Sequence, residues 1–236
     1  MRFVYLSVVF IVVGIGLFAV NFDSLVMNAV KRNPEKLATV LQDYAEQQKI
    51  EAEKHKIRSE AKDPIFFDVT KAPKKGNQDA KYKIVVLTDY QCPYCSRVEE
   101  TISELEEKYG DDLQVAYKHF PLAFHKEAEP AARAAWAANE QGRFFDYSGK
   151  LFENQRKLGS GLYLSIAKEL GLNLAKFRLD QESHRSREAV EADLAEAKSK
   201  GFSGTPVVLI NGIAVKGAYP LDYFEMVFEI IDEQAE

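Results

Sequence analysis

The chain has 236 residues, of which 46% are hydrophobic and 28% charged, an ordinary composition for one medium-sized globular domain with additional segments. Its formal net charge is -5 and the sequence has no stripe of basic residues, which argues against a nucleic-acid partner. Because the chain has only two cysteines, a fold held together by several disulfides is also excluded.

The first twenty residues predict an export signal. Arg2 precedes an apolar run from Phe3 to Val20 that contains no charged residue. A helix over residues 3–20 would be about 27 Å long, which fits either a removed signal peptide or a retained membrane anchor. Leu17-Phe18-Ala19 is a poor cleavage site, which favours an anchor in the inner membrane. Both interpretations place the rest of the chain in the periplasm or another extracytoplasmic compartment, where disulfides persist.

Residues 21–63 predict a separate helical segment. Asn33-Pro34-Glu35 is typical of a helix start, with an N-cap, a proline in the first helical position and an acid in the first turn. The apolar stripe of this helix is narrow, and residues 46–58 are almost entirely polar. A single helix cannot bury such a stripe against itself, so we predict that residues 21–63 form a homo-oligomer. The alternative is a solvated tether.

Strand and helix patterns alternate from residue 64 onwards. Ile65-Phe66-Phe67 predicts a first strand and residues 72–81 predict a loop. The apolar run within residues 83–89 predicts a central strand buried on both faces. An amphipathic helix follows, and residues 113–119 predict a third strand.

The two cysteines lie together in the motif Cys92-Pro93-Tyr94-Cys95, between the central strand and the helix that follows it. At this junction the first sulfur lies at a helix N-terminus, where unpaired N–H groups and the helix dipole favour a thiolate. The spacing therefore predicts a redox-active pair. A structural disulfide across so short a loop would stabilise little. A zinc site needs about four ligands, and the scattered histidines supply none at zinc-type spacing, so no metal site is predicted. These histidines are His55, His119, His125 and His184.

Residues 122–200 predict several helices inserted into the sheet. The first is alanine-rich and ends at Gly142. The sheet resumes at residues 205–210, and Asn211-Gly212 predicts a hairpin to residues 213–215 before a final helix. The predicted fold class is therefore α/β, with the redox pair at the C-terminal end of a central strand.

Four motifs from residue 64 to the end of the chain give a resemblance to the DsbA-like branch of the thioredoxin superfamily. The resemblance implies a thioredoxin fold with an inserted helical domain, preceded by an N-terminal helical oligomerisation segment. Residues 21–63 also resemble the oligomerisation segment of suppressor-of-copper-sensitivity C (ScsC) proteins, which are thiol-disulfide isomerases. The four motifs are Thr88-Asp89-Tyr90-Gln91-Cys92-Pro93-Tyr94-Cys95, His119-Phe120-Pro121-Leu122, Gly142-Arg143-Phe144-Phe145 and Gly204-Thr205-Pro206.

The resemblance implies roles for individual residues. Cys92 would be the exposed nucleophile and Cys95 the more buried resolving thiol. Pro206 would follow a cis peptide bond, and the main chain at Thr205 would bind an extended substrate segment. The cysteine pair itself would carry the electrons, without an organic cofactor or metal.

Other side chains near the motif have two interpretations each. Pro93 and Tyr94 tune the redox potential, or Tyr94 is a surface aromatic residue. The hydroxyl of Thr205 tunes the cysteines, or Thr205 is an ordinary strand residue. His119 and His125 are interpreted as structural or solvated, and Glu99 and Glu100 as the wet face of the active-site helix.

The predicted function is a thiol-disulfide oxidoreductase that forms or isomerises disulfides in exported proteins. Its partners would be unfolded or wrongly cross-linked exported proteins, and a membrane redox partner that recycles the cysteine pair. The oligomerisation segment favours an isomerase or a dual function. The alternative is a binding or chaperone protein of the cell envelope that sequesters copper(I) at the two sulfurs.

Overall fold

A computed structural model describes residues 8–12 and 17–235. Within the described residues, those up to His55 form one compact unit and those from Lys56 onwards form a second. The domain boundaries predicted from the sequence at residues 20 and 63 stay predictions.

The first unit begins with two antiparallel strands, β1 (Val8–Val12) and β2 (Leu17–Asn21). The helix predicted over residues 3–20 is therefore wrong for these two stretches, and the physical reason is their content of β-branched and aromatic residues, which favour extended backbone. Residues 1–7 and 13–16 of the predicted signal or anchor lie outside the described residues. Of the helices that the structure describes, none has the length and apolar composition needed to cross a bilayer.

Two helices follow, α1 (Phe22–Arg32) and α2 (Pro34–Glu60). Helix α2 begins at the proline that the sequence predicted for its first position. Its apolar stripe is exposed at Val40, Leu41, Tyr44 and Ile50. Its last turn belongs to the second unit, where Ile57 is buried in the core.

The second unit contains a five-stranded sheet in the order β3-β5-β4-β6-β7. Its central pair, β4 and β5, is parallel, and every other neighbouring pair is antiparallel. The strands are β3 (Lys74–Gly76), β4 (Tyr82–Thr88), β5 (Leu113–His119), β6 (Val207–Ile210) and β7 (Ile213–Lys216).

The first strand predicted for this unit, at Ile65-Phe66-Phe67, is wrong. In the structure Ile65 donates a single backbone hydrogen bond to Gly212, at 2.8 Å, and Ile65 and Phe67 pack on a small cluster of buried side chains. The edge of the sheet is formed instead by β3, which lies in the predicted loop. Side-chain packing therefore explains the apolar triplet without a strand ladder.

The Asn211-Gly212 hairpin is present between β6 and β7. Both residues have positive φ, 47° and 92°, which is the conformation that a two-residue hairpin turn requires. The side chain of Asn211 also accepts from the backbone N–H of Lys83 at 2.8 Å, which ties the turn to the start of β4. A side chain at position 212 would collide with Pro64, so glycine is needed there for space as well as for conformation.

Helix α3 (Pro93–Tyr109) connects β4 to β5 and α9 (Leu221–Ala235) ends the chain, and these two helices contact each other. The predicted insertion of helices lies between β5 and β6. The thioredoxin-type α/β architecture predicted from the sequence is therefore confirmed, with α3 starting at the end of the central parallel pair. The inserted helices are α4 (Ala128–Asn139), α5 (Phe144–Glu153), α6 (Ser160–Glu169), α7 (Leu174–Glu182) and α8 (His184–Ser199).

Candidate active site

The two cysteines lie where β4 ends and α3 begins. Cys92 is the N-cap residue of α3, with extended backbone, and Pro93 occupies the first helical position. Cys95 lies in the first turn of the helix. Both residues are free thiols. The proline needs no hydrogen-bond partner at this position, so the helix can begin directly after the first sulfur.

Cys92 is surrounded by groups that stabilise its thiolate. A hydrogen bond from the Cys95 side chain is the largest cause, and the N–H groups of Cys95 and Tyr94 and the side chain of Thr205 add to it. Together they lower the pKa of Cys92 to about 5, although burial acts in the opposite direction. Cys92 is only 4% exposed, so the prediction that this nucleophile is exposed is wrong. The close approach of the Thr205 main chain accounts for part of this burial.

Cys95, in contrast, is held as a protonated thiol. It is 1% exposed, and burial raises its pKa far above the usual value for a thiol. The hydrogen bond to Cys92 and the charge on Cys92 raise the pKa further. The backbone N–H of Asp89 donates to the Cys95 sulfur at 3.4 Å. At neutral pH the site therefore contains one thiolate and one thiol in contact.

The segment before β6 forms the opposite wall. The peptide bond between Thr205 and Pro206 is cis, as the resemblance implies. The sulfur of Cys92 lies 3.7 Å from the Thr205 carbonyl oxygen, within reach of a hydrogen bond from the thiol form. The Thr205 hydroxyl is buried without a well-aligned partner among the described residues, yet it lowers the pKa of both thiols. We assign this effect to its proximity to the sulfurs.

Tyr94 lies between the two cysteines, at the second helical position of α3. It is 52% exposed, and the guanidinium of Arg97 lies 4.6 Å from the centre of its ring. The backbone N–H of Tyr94 contributes to the low pKa of Cys92. The redox-tuning roles predicted for Pro93 and Tyr94, and the substrate-binding roles predicted for Thr205 and Pro206, stay predictions.

Asp89 organises the site, and the sequence analysis did not single it out. Its side chain is fully buried and accepts hydrogen bonds from the backbone N–H groups of Gln91 and Leu122, at 2.7 and 2.9 Å. It also lies 2.8 Å from Nδ1 of His125. Its backbone donates to Cys95 and accepts from the N–H of Cys92 at 3.1 Å. One residue therefore contacts both cysteines and the loop after β5.

Gln155 connects the inserted helices to the motif. Its Nε2 donates to the carbonyl oxygens of Tyr90 and Cys92, each at 2.8 Å. These carbonyls lie in the turn between β4 and α3, so the amide of Gln155 holds that turn in place. No motif in the sequence marks this residue.

Comparison with known proteins identifies the family to which this fold and cysteine site belong. A sequence model of the family described as thioredoxin matches residues 69–232. The chain belongs to the thioredoxin family. A thioredoxin-like oxidoreductase from Silicibacter pomeroyi is 26% identical, with a TM-score of 0.63 over 70% of this chain and 93% of that one. A periplasmic thioredoxin-like protein from Salmonella enterica serovar Typhimurium is 25% identical, with a TM-score of 0.60 over 70% of this chain and 93% of that one.

ScsC from Proteus mirabilis, in a transitional conformation, covers 89% of this chain and 95% of its own, at 24% identity and a TM-score of 0.60. The predicted resemblance in fold to DsbA-like and ScsC proteins is confirmed. The predicted oxidoreductase activity belongs to the proposed function.

Curated relatives include the Na⁺/H⁺ antiporter NhaA 1 of Mycolicibacterium vanbaalenii, 34% identical over 148 residues, which are 61% of this chain and 24% of the antiporter. The chain therefore spans about a quarter of the length of the curated relatives it matches.

Within this thioredoxin-family site, Glu99 is not on the wet face of α3. Its Oε1 is buried without a hydrogen-bond partner in the described part of the chain, and its Oε2 accepts from the Tyr117 hydroxyl at 2.8 Å. Burial of this carboxyl group raises the pKa of Glu99 to about 7. Glu99 lines a cavity of about 460 Å³ together with Ser96, the residue after Cys95.

The two histidines of the region have different surroundings. His119 is buried, which lowers its pKa, and its Nδ1 has no partner within the described residues. His125 is bound to Asp89 and partly open to solvent. The structural interpretation predicted for His119 and His125 fits these contacts.

Proposed function

We propose that this protein exchanges thiols and disulfides in exported polypeptides, with Cys92 as the attacking sulfur and Cys95 as the resolving sulfur. The observation that carries this proposal is the unequal ionisation of the pair, with the pKa of Cys92 lowered to about 5 and that of Cys95 raised by burial. The thiolate is the species that attacks disulfides, and a low-pKa sulfur is also a good leaving group.

As an oxidant, the protein would start with a Cys92–Cys95 disulfide. A substrate thiolate attacks the Cys92 sulfur, the bond between the two cysteines breaks, and Cys95 leaves with the electron pair and takes up a proton. A second substrate thiolate then attacks the substrate sulfur of the mixed disulfide. The substrate is oxidised and Cys92 is released as a thiolate.

As an isomerase, the protein would start in the reduced form. The Cys92 thiolate attacks a wrong disulfide and releases one substrate thiolate, and another substrate thiolate later displaces Cys92. Electrons are conserved overall, so no oxidant is needed. The cysteine pair performs both reactions without an organic cofactor or metal.

The exposed apolar side chains of α2 favour the isomerase or a dual function. Helix α2 presents Val40, Leu41 and Tyr44 to solvent, and a second copy of the helix would cover them. Several active sites would then surround one misfolded client. A membrane redox partner would recycle the pair, and its identity decides the direction of the reaction.

The location we propose is the periplasm or another extracytoplasmic compartment. The Salmonella neighbour is periplasmic, which supports this proposal. The role of residues 1–20 as an export signal stays part of the proposal. A helical anchor over residues 3–20 is not proposed, because residues 8–12 and 17–21 are strands. Copper(I) sequestration by a cell-envelope binding protein has less support, because two thiolates would be needed and burial keeps Cys95 protonated.

The test measures insulin reduction and the refolding of scrambled ribonuclease with three proteins: wild type, Cys92→Ala and Cys95→Ala. We expect wild-type activity in at least one assay, none with Cys92→Ala, and a trapped mixed disulfide with Cys95→Ala. Equal activity of wild type and Cys92→Ala in both assays would contradict the proposal.

A further inference from the structure

The loop between β5 and α4, residues 120–127, is fastened to the cysteine motif at several points. The N–H of Leu122 and the Nδ1 of His125 both contact one carboxylate oxygen of Asp89, at 2.9 and 2.8 Å. The N–H of Glu127 donates to the side chain of Gln91 at 2.8 Å. Asp89 and Gln91 lie three positions and one position before Cys92, so the loop and the motif are held together.

This fastened loop carries an exposed phenylalanine. The side chain of Phe124 is 76% exposed, and its ring packs edge-on against His125 with 4.5 Å between ring centres. By contrast, Phe120 in the same loop is buried. A single exposed apolar side chain is common on proteins and means little by itself. Phe124 differs because both of its flanking segments are anchored by part-buried hydrogen bonds to Asp89 and Gln91.

Asp89 links the loop that carries Phe124 to the turn that carries the reactive sulfur. Its main-chain oxygen accepts from the N–H of Cys92, and its carboxylate holds the imidazole on which Phe124 packs. A second exposed aromatic residue, Tyr94, follows Cys92 by two positions. Two exposed aromatic rings are therefore carried by the motif and by the loop that is hydrogen-bonded to it.

We propose that Phe124 is a docking residue for client polypeptides, and that it binds an apolar side chain close to the client cysteine that reacts with Cys92. The occupant is an extended, non-native segment, because such a segment exposes apolar side chains that a folded protein buries. This inference rests on the proposed function. It adds a contact by which the site distinguishes clients, alongside the main-chain pairing expected at Thr205.

Asp89 and His125 act in this arrangement as positioning residues. A flexible loop would lose conformational entropy when a client ordered it, and this loss would weaken binding. The hydrogen bond from His125 to a fully buried carboxylate fixes the loop before the client arrives. Removal of the imidazole should therefore weaken client docking without changing the sulfurs.

The test uses two cysteine-containing peptides that differ in one respect, leucine or serine next to the cysteine. The oxidised full chain is mixed with each peptide, and separately with dithiothreitol, and the rate of disulfide reduction is measured against concentration. In each case two thiolates of the reductant reduce one Cys92–Cys95 disulfide, through the mixed disulfide at Cys92. Dithiothreitol reports the reactivity of the sulfurs alone.

For Phe124→Ala we expect the half-saturating concentration of the leucine peptide to rise about tenfold, the equivalent of losing most of one buried apolar contact. The limiting rate, the serine peptide and dithiothreitol should be unaffected. The matched control is Leu179→Ala, because Leu179 is 74% exposed on α7 and lies outside this loop. It should change none of these rates.

His125→Ala should weaken binding of the leucine peptide about threefold, and His125→Asn should restore it, because the asparagine amide can donate to Asp89 in place of Nδ1. Equal effects of Phe124→Ala on the two peptides, or on the leucine peptide and dithiothreitol, would overturn the inference. Wild-type protein that dithiothreitol cannot reduce would instead contradict the proposed function itself.

Discussion

The sulfur of Cys92 lies 3.7 Å from the main-chain oxygen of Thr205, a residue 113 positions further along the chain. The surroundings of the nucleophile at the start of α3 therefore include the segment that leads into β6. This segment supplies a hydroxyl as well as a carbonyl, because the Thr205 side chain is one of the groups that lower the pKa of Cys92.

The first prediction concerns that hydroxyl. Thr205→Val keeps the shape of the side chain and should raise the pKa of Cys92 above about 5, measured as thiolate absorbance at 240 nm against pH. The free energy of unfolding should not fall, because the hydroxyl removed is buried without a well-aligned partner among the described residues. Thr88→Val is the control, since it removes another such hydroxyl in the same region. If Thr88→Val changed the pKa of Cys92 by as much as Thr205→Val does, a specific role for Thr205 would be excluded.

The second prediction separates the two sulfurs. The Cys95 side chain is the largest cause of the low pKa of Cys92, so Cys95→Ala should raise that pKa and Cys95→Ser should raise it less. The rate of alkylation by iodoacetamide against pH measures this effect, and the wild-type rate should level off above about pH 5. A wild-type rate that still rises steeply above pH 8 would show an ordinary thiol.

The third prediction links ionisation to stability. Between about pH 5 and 9 the unfolded reduced chain binds a proton at Cys92 that the folded chain does not. The free energy of unfolding of the reduced protein should therefore rise with pH across this window, and this stabilisation should be lost as pH falls through 5. Urea unfolding of reduced Cys92→Ser, which lacks the group, serves as the reference. Parallel curves for the two proteins would contradict the low pKa.

The sequence was sufficient to predict the central sheet and the cysteine pair, because both depend on local patterns. A buried strand, a proline-led helix and Asn211-Gly212 each have a signature of their own. Strand β3 has none, since Lys74–Gly76 is a short polar edge strand that becomes a strand only by pairing with β5. The Ile65–Phe67 triplet misled for the converse reason, because its side chains are buried by packing alone.

The polar contacts of the site could not be predicted from the sequence, because they depend on how β4 and β5 are aligned in the sheet. Asp89 and His125 are 36 residues apart and meet because β4 and β5 run parallel, with Thr88 opposite His119. Glu99 misled for a similar reason. The inward face of α3 is marked by Val98, Ile102 and Leu105, but Tyr117 and the inserted helices also cover the neighbouring face where Glu99 lies.

The fourth prediction concerns Glu99. Burial raises its pKa to about 7, so between about pH 4.5 and 7 the folded protein binds a proton that the unfolded chain has released. The contribution of protonated Glu99 to the free energy of unfolding is fully present below pH 4.5 and is lost as pH rises through 7. Glu99→Gln should therefore be more stable than wild type at pH 8, by about 1–3 kcal/mol, with a smaller difference at pH 5.

Chemical unfolding at the two pH values measures this change. The exposed neighbour Glu100 provides the control, because Glu100→Gln keeps the same change of charge without the burial. It should shift stability equally little at both values. A Glu99→Gln protein less stable than wild type at pH 8 would show that the carboxylate is stabilised in place by contacts that outweigh its burial.

The last prediction concerns self-association through α2. Leu41 and Tyr44 are 57% and 60% exposed, one turn apart, and a second copy of the helix would bury them. The chain from residue 21 onwards should therefore form oligomers in light scattering after gel filtration, and Leu41→Glu with Tyr44→Glu should give monomers. Leu179→Glu introduces the same charge at an exposed leucine on α7 and should leave the mass of the oligomer unchanged.

The monomeric variant should keep its rate of reduction by dithiothreitol but lose activity on scrambled ribonuclease. Isomerisation is the reaction that several active sites around one client would serve. A wild-type chain that is monomeric at every concentration would leave α2 as a tether.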